Sequence, residues 1–593
     1  MPQHLRLSQF VITYGPGSIL EGPSGPRIIP RPDIGLFNQG NLEPAQFEIS
    51  DRKISHGLLS GSRIFRLPSN VELGKPESYY IYATKAFPEW KLCQKTTDHK
   101  VESETGFFVL FHGSYCPLCG NRDVEPIRFV RACPEGHLDD LDWWLLVHEN
   151  KTGCTHSKWF IWREEGSALS RIWIICPKCY ARQNFGDAYR KKWPCSGRFP
   201  EKEPLASGPY RPGCKNSSRI IQRQASNLRI PEIRTLFTTS WYTRLHNLLQ
   251  ITPIYHAIAA SRPRSFNQLR EMLENLKNNR FISASIVQEI LSCPWNEINR
   301  VINDILGQIP TNYRGLLIEE FHTFIDASIN GIPPVRGQAP FSPVLIEIDP
   351  NRVIRCTGLR KKEFRIVPVL RLRTVTVQIG YRREVDTENP AKVVDISFED
   401  NTGHKWYPGV EFFGEGIFIM LDQDDGWHFP LSGDHVKAWE LALKAQYSNH
   451  LFRSSEYRDE LHPVFVWWHT FSHLLIREIS IYAGYPSSSI RERVYIEIEN
   501  NKARGGILLY AVQPGSEGTL GGLTGLVPHF QDIIERTLKR AQVCSNDPIC
   551  RENRFQPGYY CGSACYGCLF LSETSCEHRN MWLDRNVLLD NLP

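Results

Sequence analysis

Cys116-Pro-Leu-Cys119, followed by Cys133-Pro-Glu-Gly-His137, pairs a CxxC with a CxxxH across a span that a β-hairpin can close. A tight turn between the paired thiols lets both sulfurs reach one ion at about 2.3 Å, and Gly136 eases the bend before the imidazole. Cys116, Cys119, Cys133 and His137 are therefore the expected ligands of a first zinc site. Further along, Cys176-Pro-Lys-Cys179 repeats the pair, and Cys195 and Cys214 complete an expected four-thiolate site. Cys154 and His156 stand as substitutes for either of those last two, while His148 reads as an ordinary packed or surface histidine. At the end of the chain six thiols compete for four places. Cys544, Cys550, Cys565 and Cys568 are the expected ligands, Cys576 is the strongest substitute, and a buried structural role is expected of the spare thiols. Most of the 17 cysteines fall in such pairs and clusters, the spacing of metal thiolates in a reducing compartment rather than of a disulfide framework. Four protein ligands close a zinc coordination sphere, so these sites are expected to brace the fold and not to activate water.

Working outward, 593 residues exceed what one core can bury, and 41% hydrophobic with 22% charged residues is globular composition. The expected class is α+β, multi-domain: zinc-stapled β-rich N-terminal modules, a central helical domain, an antiparallel sheet region and a mixed α/β C-terminal domain with a terminal zinc cluster. The boundaries follow local texture. Residues 1–110 are Pro- and Gly-rich loops and short strands; 111–228 form a double zinc-binding module; 229–343 carry helical spacing, as in Phe266-Asn-Gln-Leu-Arg-Glu-Met-Leu-Glu-Asn-Leu276. Residues 344–433 return to β-branched alternation, as in Arg371-Leu-Arg-Thr-Val-Thr-Val-Gln-Ile379, and 434–593 are mixed, with a helix over Val464 to Ala483, strands over Arg493 to Glu499 and Gly506 to Val512, and a helix near Pro528 to Arg540.

No catalytic signature emerges. His469-Thr-Phe-Ser-His473 puts two histidines on one helix face, but the glutamate that serves a zinc protease as general base is replaced by Thr470. A packed helix is the expected reading; the alternative is a metal-dependent nuclease or hydrolase using His469 and His473 with Glu478 or Glu497. No GxxxxGK[ST] loop occurs, and the glycine run Gly515 to Gly522 reads as a hairpin turn before it reads as an anion cradle. The net charge of +5 is too small to decide about nucleic acid, yet Arg360, Lys361 and Lys362, with Arg371 and Arg373, form a candidate phosphate-tracking patch, and Arg382-Arg383 and Arg190-Lys-Lys-Trp193 are weaker ones. The N-terminus lacks an apolar signal region and no run of about eighteen apolar residues follows, so a cytoplasmic location is expected.

One further property lies in the order of motifs: Ser8-Gln-Phe-Val-Ile-Thr-Tyr-Gly-Pro-Gly17, Arg128-Phe-Val-Arg-Ala-Cys-Pro-Glu-Gly-His-Leu-Asp-Asp140, Gln224-Ala-Ser-Asn227, Gly414-Glu-Gly-Ile-Phe418, His469-Thr-Phe-Ser-His-Leu-Leu-Ile476, Gly518-Thr-Leu-Gly-Gly522, Ala564-Cys-Tyr-Gly-Cys568 and Glu573-Thr-Ser-Cys-Glu577. This string resembles the DrmB family of bacterial DISARM anti-phage systems, and the C-terminal part is similar to the helicase-associated domain of DNA helicases of the MrfA type. Gln224 departs from the glycine usual there. The resemblance implies a partner role, a heterodimer with a DrmA-like helicase subunit that carries the ATPase, the pair engaging DNA; zinc as cofactor, no enzyme activity of the chain's own and no membrane partner are the expectations already drawn from the residues.

Overall fold

The structure, a computed structural model, describes residues 4–23, 25–37, 42–102, 104–149, 153–238, 244–249, 251–307, 309–336, 343–386, 389–422, 430–445, 461–500, 502–514, 522–556 and 560–593. It is a mixed α/β chain with several antiparallel sheets. Two compact units interleave in sequence: 1–50, 62–235 and 376–410 form the first, and 51–61, 236–375 and 411–593 the second. Most of the predicted glycine-rich turn, 515–521, lies outside the described residues.

The first unit is built on a six-stranded sheet in the order Arg182–Asn184, Ile172–Ile175, Trp159–Glu164, Phe108–His112, Trp90–Cys93, Glu125–Pro126. Period-two alternation gives it two buried faces. Leu92, Leu110, Phe160, Trp162 and Ile174 enter one core with Trp143 and Phe185, while Cys93, Val109, Phe111 and Ile161 enter another with Cys116. A second sheet, in the order Leu138–Asp139, Phe129–Ala132, Ser217–Gln222, Trp193–Pro194, brings together segments far apart in sequence.

Beside it, fully buried Arg198 bonds Asp139 at 2.8 Å and Glu203 at 2.9 Å, and Asp139 also meets Arg211 at 2.6 Å and Arg131 at 3.3 Å. Burial works to raise the Asp139 carboxyl, but the three guanidiniums outweigh it and hold the group down at about 2. A depressed carboxylate contributes stability that is complete above its unfolded value near 3.9 and is lost as pH falls toward 2. Asp139→Asn is thus expected to cost about 2 kcal/mol in urea unfolding at pH 7, and a variant as stable as the parent would contradict this account.

In the second unit the helices Arg244–Leu249, Thr252–Ser261, Phe266–Asn278, Ala284–Leu291 and Trp295–Leu306 close on Leu249, Ile254, Leu269, Ile290 and Ile298. The predicted helical segment 229–343 is narrower than expected, because its ends are the strands Ile230–Phe237 and Ile332–Arg336. Its last helix, Tyr313–Asn330, joins the sheet instead, stacking Phe321 on Tyr495 at 5.3 Å.

The sheet runs Ile332–Arg336, Val344–Ile348, Glu363–Arg382, Lys405–Leu421, Lys502–Pro514, Arg491–Glu499. Against it lies the helix Pro463–Ala483, opened by Pro463 at its first position and a His462 cap on the Val464 amide, and ended by Gly484 at φ 71°. Gly505 is required beneath it, since an added Cβ would strike the Trp468 indole. The helix is buried on nearly every side, with sheet on one flank and the helices Phe530–Arg540 and Arg585–Asp590 on others. Among the described residues no helix is long and apolar enough to cross a membrane.

Candidate metal centres

Among the described residues, five groups of four side chains bring their ligand atoms within 4.8 Å of one another: Cys93, His99, Cys116, Cys119; Cys133, His137, Cys195, Cys214; His148, Cys154, Cys176, Cys179; Cys544, Cys550, Cys565, Cys568; and His469, His473, Glu492, Cys576. The first three lie in the first unit and the last two in the second. All but three of the 17 cysteines, Cys293, Cys356 and Cys561, belong to one of them.

The two CxxC loops of the first unit share one turn. The amide of Gly120 bonds the carbonyl of Cys116 and the amide of Cys116 bonds that of Asn121; likewise Tyr180 bonds Cys176 and Cys176 bonds Ala181. Both turns need a left-handed residue just past the second thiol, Gly120 at φ 70° and Tyr180 at φ 57°.

The spacing within the groups fits zinc. Four ligands at about 2.3 Å put tetrahedral sulfurs about 3.8 Å apart, and the observed sulfur pairs are Cys93–Cys119 at 3.7 Å, Cys154–Cys176 at 3.8 Å, Cys544–Cys565 at 3.5 Å, and Cys550–Cys568 and Cys565–Cys568 at 3.7 Å.

Histidine geometry agrees. His99 Nδ1 lies 2.8 Å from the Phe107 carbonyl and His148 Nδ1 2.9 Å from that of Trp144. A carbonyl only accepts, so each Nδ1 carries the proton and leaves Nε2 a lone pair aimed at the thiols, the arrangement by which metal-bound histidines are oriented. His99 Nε2 lies 3.4 Å from Cys116 Sγ, and His148 Nε2 is buried with no hydrogen-bond partner, an orphan that an ion satisfies. In the second group His137 uses Nδ1, 3.2 Å from Cys133 and 3.6 Å from Cys195, whose thiol is pulled down to about 4, chiefly through its bond to Cys133.

These groups redraw the expected ligand sets. Cys116 and Cys119 join Cys93 and His99, not Cys133 and His137; Cys133 and His137 join Cys195 and Cys214; and Cys176 and Cys179 take His148 and Cys154. His148 is therefore a member and not a bystander, whereas His156 bonds the Trp159 carbonyl at 2.9 Å. Cys93 and His99 were missed altogether, and the faint signal for them is a thiol ending a strand six residues before a buried histidine. In the C-terminal region Cys544, Cys550, Cys565 and Cys568 come together as anticipated, while Cys576 belongs to the fifth group. His469 and His473 sit on a packed helix and hydrogen-bond to neighbouring groups as expected, both of them facing Glu492. Neither carboxylate of the hydrolase alternative reaches them, since Glu478 pairs with Arg540 and Glu497 with Arg504 and His322.

The candidate DNA patch divides. Arg360, Lys361 and Lys362 are exposed on the turn between the strands Ile354–Thr357 and Glu363–Arg382, and Arg371 is exposed opposite Glu347. Arg373 is corrected: it is only 7% exposed and bonds Glu411 at 2.8 Å, so it serves the interior. Arg383 is likewise fully buried on the carbonyls of Gly136, Leu228 and Gly17, and Arg190 and Lys191 pair with Asp187 and Glu149.

Fold and sites together define a two-unit α/β protein with several Cys/His clusters of metal-ligand geometry, and comparison with known proteins supports zinc binding for one of them. Residues 471–569, which contain the four-thiolate group, match the MrfA Zn-binding domain, and residues 6–230 match a domain of unknown function, DUF8724. The chain is a homologue of the DISARM protein DrmB of Bacillus paralicheniformis (strain ATCC 9945a / NCIMB 11709 / CD-2), 26% identical over 548 residues, which cover 85% of this chain and 88% of that protein. A solved structure of the DUF1998 helicase MrfA bound to DNA aligns over 34% of this chain and 21% of its own at 10% identity and a TM-score of 0.19, too low to define a common fold.

Proposed function

We infer that this chain is the non-catalytic, zinc-braced subunit of a DISARM-type complex that engages phage DNA together with a DrmA-like helicase. The observation that carries this reading is the similarity to a DISARM DrmB over 85% of this chain and 88% of that protein. It is supported by groups of four ligand side chains, the number that fills a tetrahedral zinc sphere, and by the lack of a phosphate-cradling motif in the sequence, which leaves nucleotide hydrolysis to the partner. The fifth group does not favour the hydrolase alternative, because its side chains are at most 4% exposed and out of a substrate's reach.

The purified chain is expected to hydrolyse no ATP and to co-purify with a DrmA-like helicase when the two are expressed together. Its affinity for DNA is expected to fall steeply between about 50 and 200 mM salt. The triple change Arg360→Ala, Lys361→Ala, Lys362→Ala is expected to weaken binding and to flatten the logarithmic salt slope by about 2 to 3, as each lost phosphate contact removes close to one. ATP hydrolysis by the chain alone, or salt-insensitive DNA binding, would overturn the reading.

A further inference from the structure

Two histidines one turn apart on the helix Pro463–Ala483, a glutamate on the strand Arg491–Glu499 and a cysteine in the loop after residue 570 converge where no solvent reaches. His469 Nε2 lies 2.8 Å from Glu492 Oε1 and 3.3 Å from Cys576 Sγ, and His473 Nε2 lies 3.0 Å from the same carboxylate oxygen. We propose that His469, His473, Glu492 and Cys576 form a fifth, fully enclosed zinc site that locks the C-terminal segment onto the helix and the hairpin. The matched zinc-binding domain, residues 471–569, includes neither His469 nor Cys576.

The competing arrangement is a metal-free imidazolium–carboxylate pair, since the two N···O separations are hydrogen-bond lengths. That pair requires a doubly protonated ring. His473 Nδ1 lies 2.9 Å from the Leu569 carbonyl and so carries a proton, as in His99 and His148, which leaves Nε2 as the nitrogen facing Glu492; a neutral ring there presents a lone pair to a carboxylate oxygen, a repulsion that a cation between them converts to attraction.

Cys576 Sγ accepts the backbone amides of His578 and Asn580, each at 3.3 Å, the N–H···S contacts that a metal-bound thiolate takes. A thiolate and a carboxylate buried together carry two negative charges, the number that one divalent ion neutralises. Two imidazoles, one thiolate and one carboxylate are all ligand types that zinc accepts, and Ser472 holds the second carboxylate oxygen in place.

The loop is shaped for the purpose. Leu571 and Asn580 exchange two hydrogen bonds of 2.8 and 2.9 Å that pinch it closed, and the Ser575 carbonyl takes the Glu492 amide at 3.0 Å, fixing Cys576 beside the strand. Sequence spacing hides the site because its members are spread from residue 469 to residue 576.

Native mass spectrometry of the full chain is expected to count five zinc ions, and a count of four or fewer overturns the proposal. The count needs no variant, so it stands even if substitutions unfold the chain. His473→Gln and Cys576→Ser are each expected to lose one ion, and the double variant no more than either single one. Retention of the full parental count by the folded single variants overturns it as well. ATPase and DNA binding are read separately, so a four-ion chain that still joins its helicase sinks this inference and leaves the proposed function standing.

Discussion

Cys195→Ser is expected to release one zinc ion, and Cys133→Ser in the same chain to release no second one, because both thiols belong to the group completed by His137 and Cys214. Cys195→Ser with Cys176→Ser is expected to release two. The opposite pattern would follow from the order of cysteines along the chain, which pairs Cys195 with the Cys176-Pro-Lys-Cys179 loop, so the outcome also decides between local spacing and the fold. The effect on stability is large. Structural zinc is linked to folding by on the order of 10 kcal/mol of apparent free energy near neutral pH, comparable to the total stability of a whole domain. Cys195→Ser should therefore leave the sheet that ends at Trp193–Pro194 open to proteolysis, while Cys293→Ser, outside every group, should keep full zinc and parental resistance. Elemental analysis of the two double variants together with a limited-proteolysis time course checks both halves.

How far the sequence could be read follows from the range of the interactions involved. The helix over Val464 to Ala483 and the strands near 491–499 and 502–514 were legible because their periodicity is set within a few residues. The CxxC loops were legible for the same reason, being single turns. Their partners were not. Cys93 reaches Cys119 because the strand Trp90–Cys93 pairs with Phe108–His112 in the register Cys93↔Val109, and Cys133 reaches Cys195 because two strands of another sheet close around an entire third group held between them in sequence. Nested groups defeat any rule that joins each CxxC to the next available thiols. Arg373 was misread on similar grounds: alternation puts it on the face of Arg371, but its neighbour Glu411 comes from the strand Lys405–Leu421 and claims it for the interior.

Glu320→Ala is expected to destabilise the second unit by about 3–5 kcal/mol. Glu320 is 2% exposed and bonds Arg493 at 3.1 Å, the Tyr495 hydroxyl, and the amide of Phe237 at 2.9 Å. Burial pushes its carboxyl up even though Arg493, Tyr495 and Phe237 all favour the charged form, so the desolvation cost is close to the attraction it meets. The pair therefore adds little net stability when intact, yet breaking it is expensive. Alanine would strand the Arg493 guanidinium, 1% exposed, with the rim residue Glu577 as its remaining carboxylate at 2.8 Å, and would leave the Phe237 amide without its acceptor. Removing both charges avoids the stranded cation. Glu320→Leu with Arg493→Met is thus expected to cost less than either substitution alone, a large coupling where two independent sites would show none. Urea unfolding of the three variants at pH 7 decides it, and additive losses would mean that the pair does not carry the energy assigned to it here.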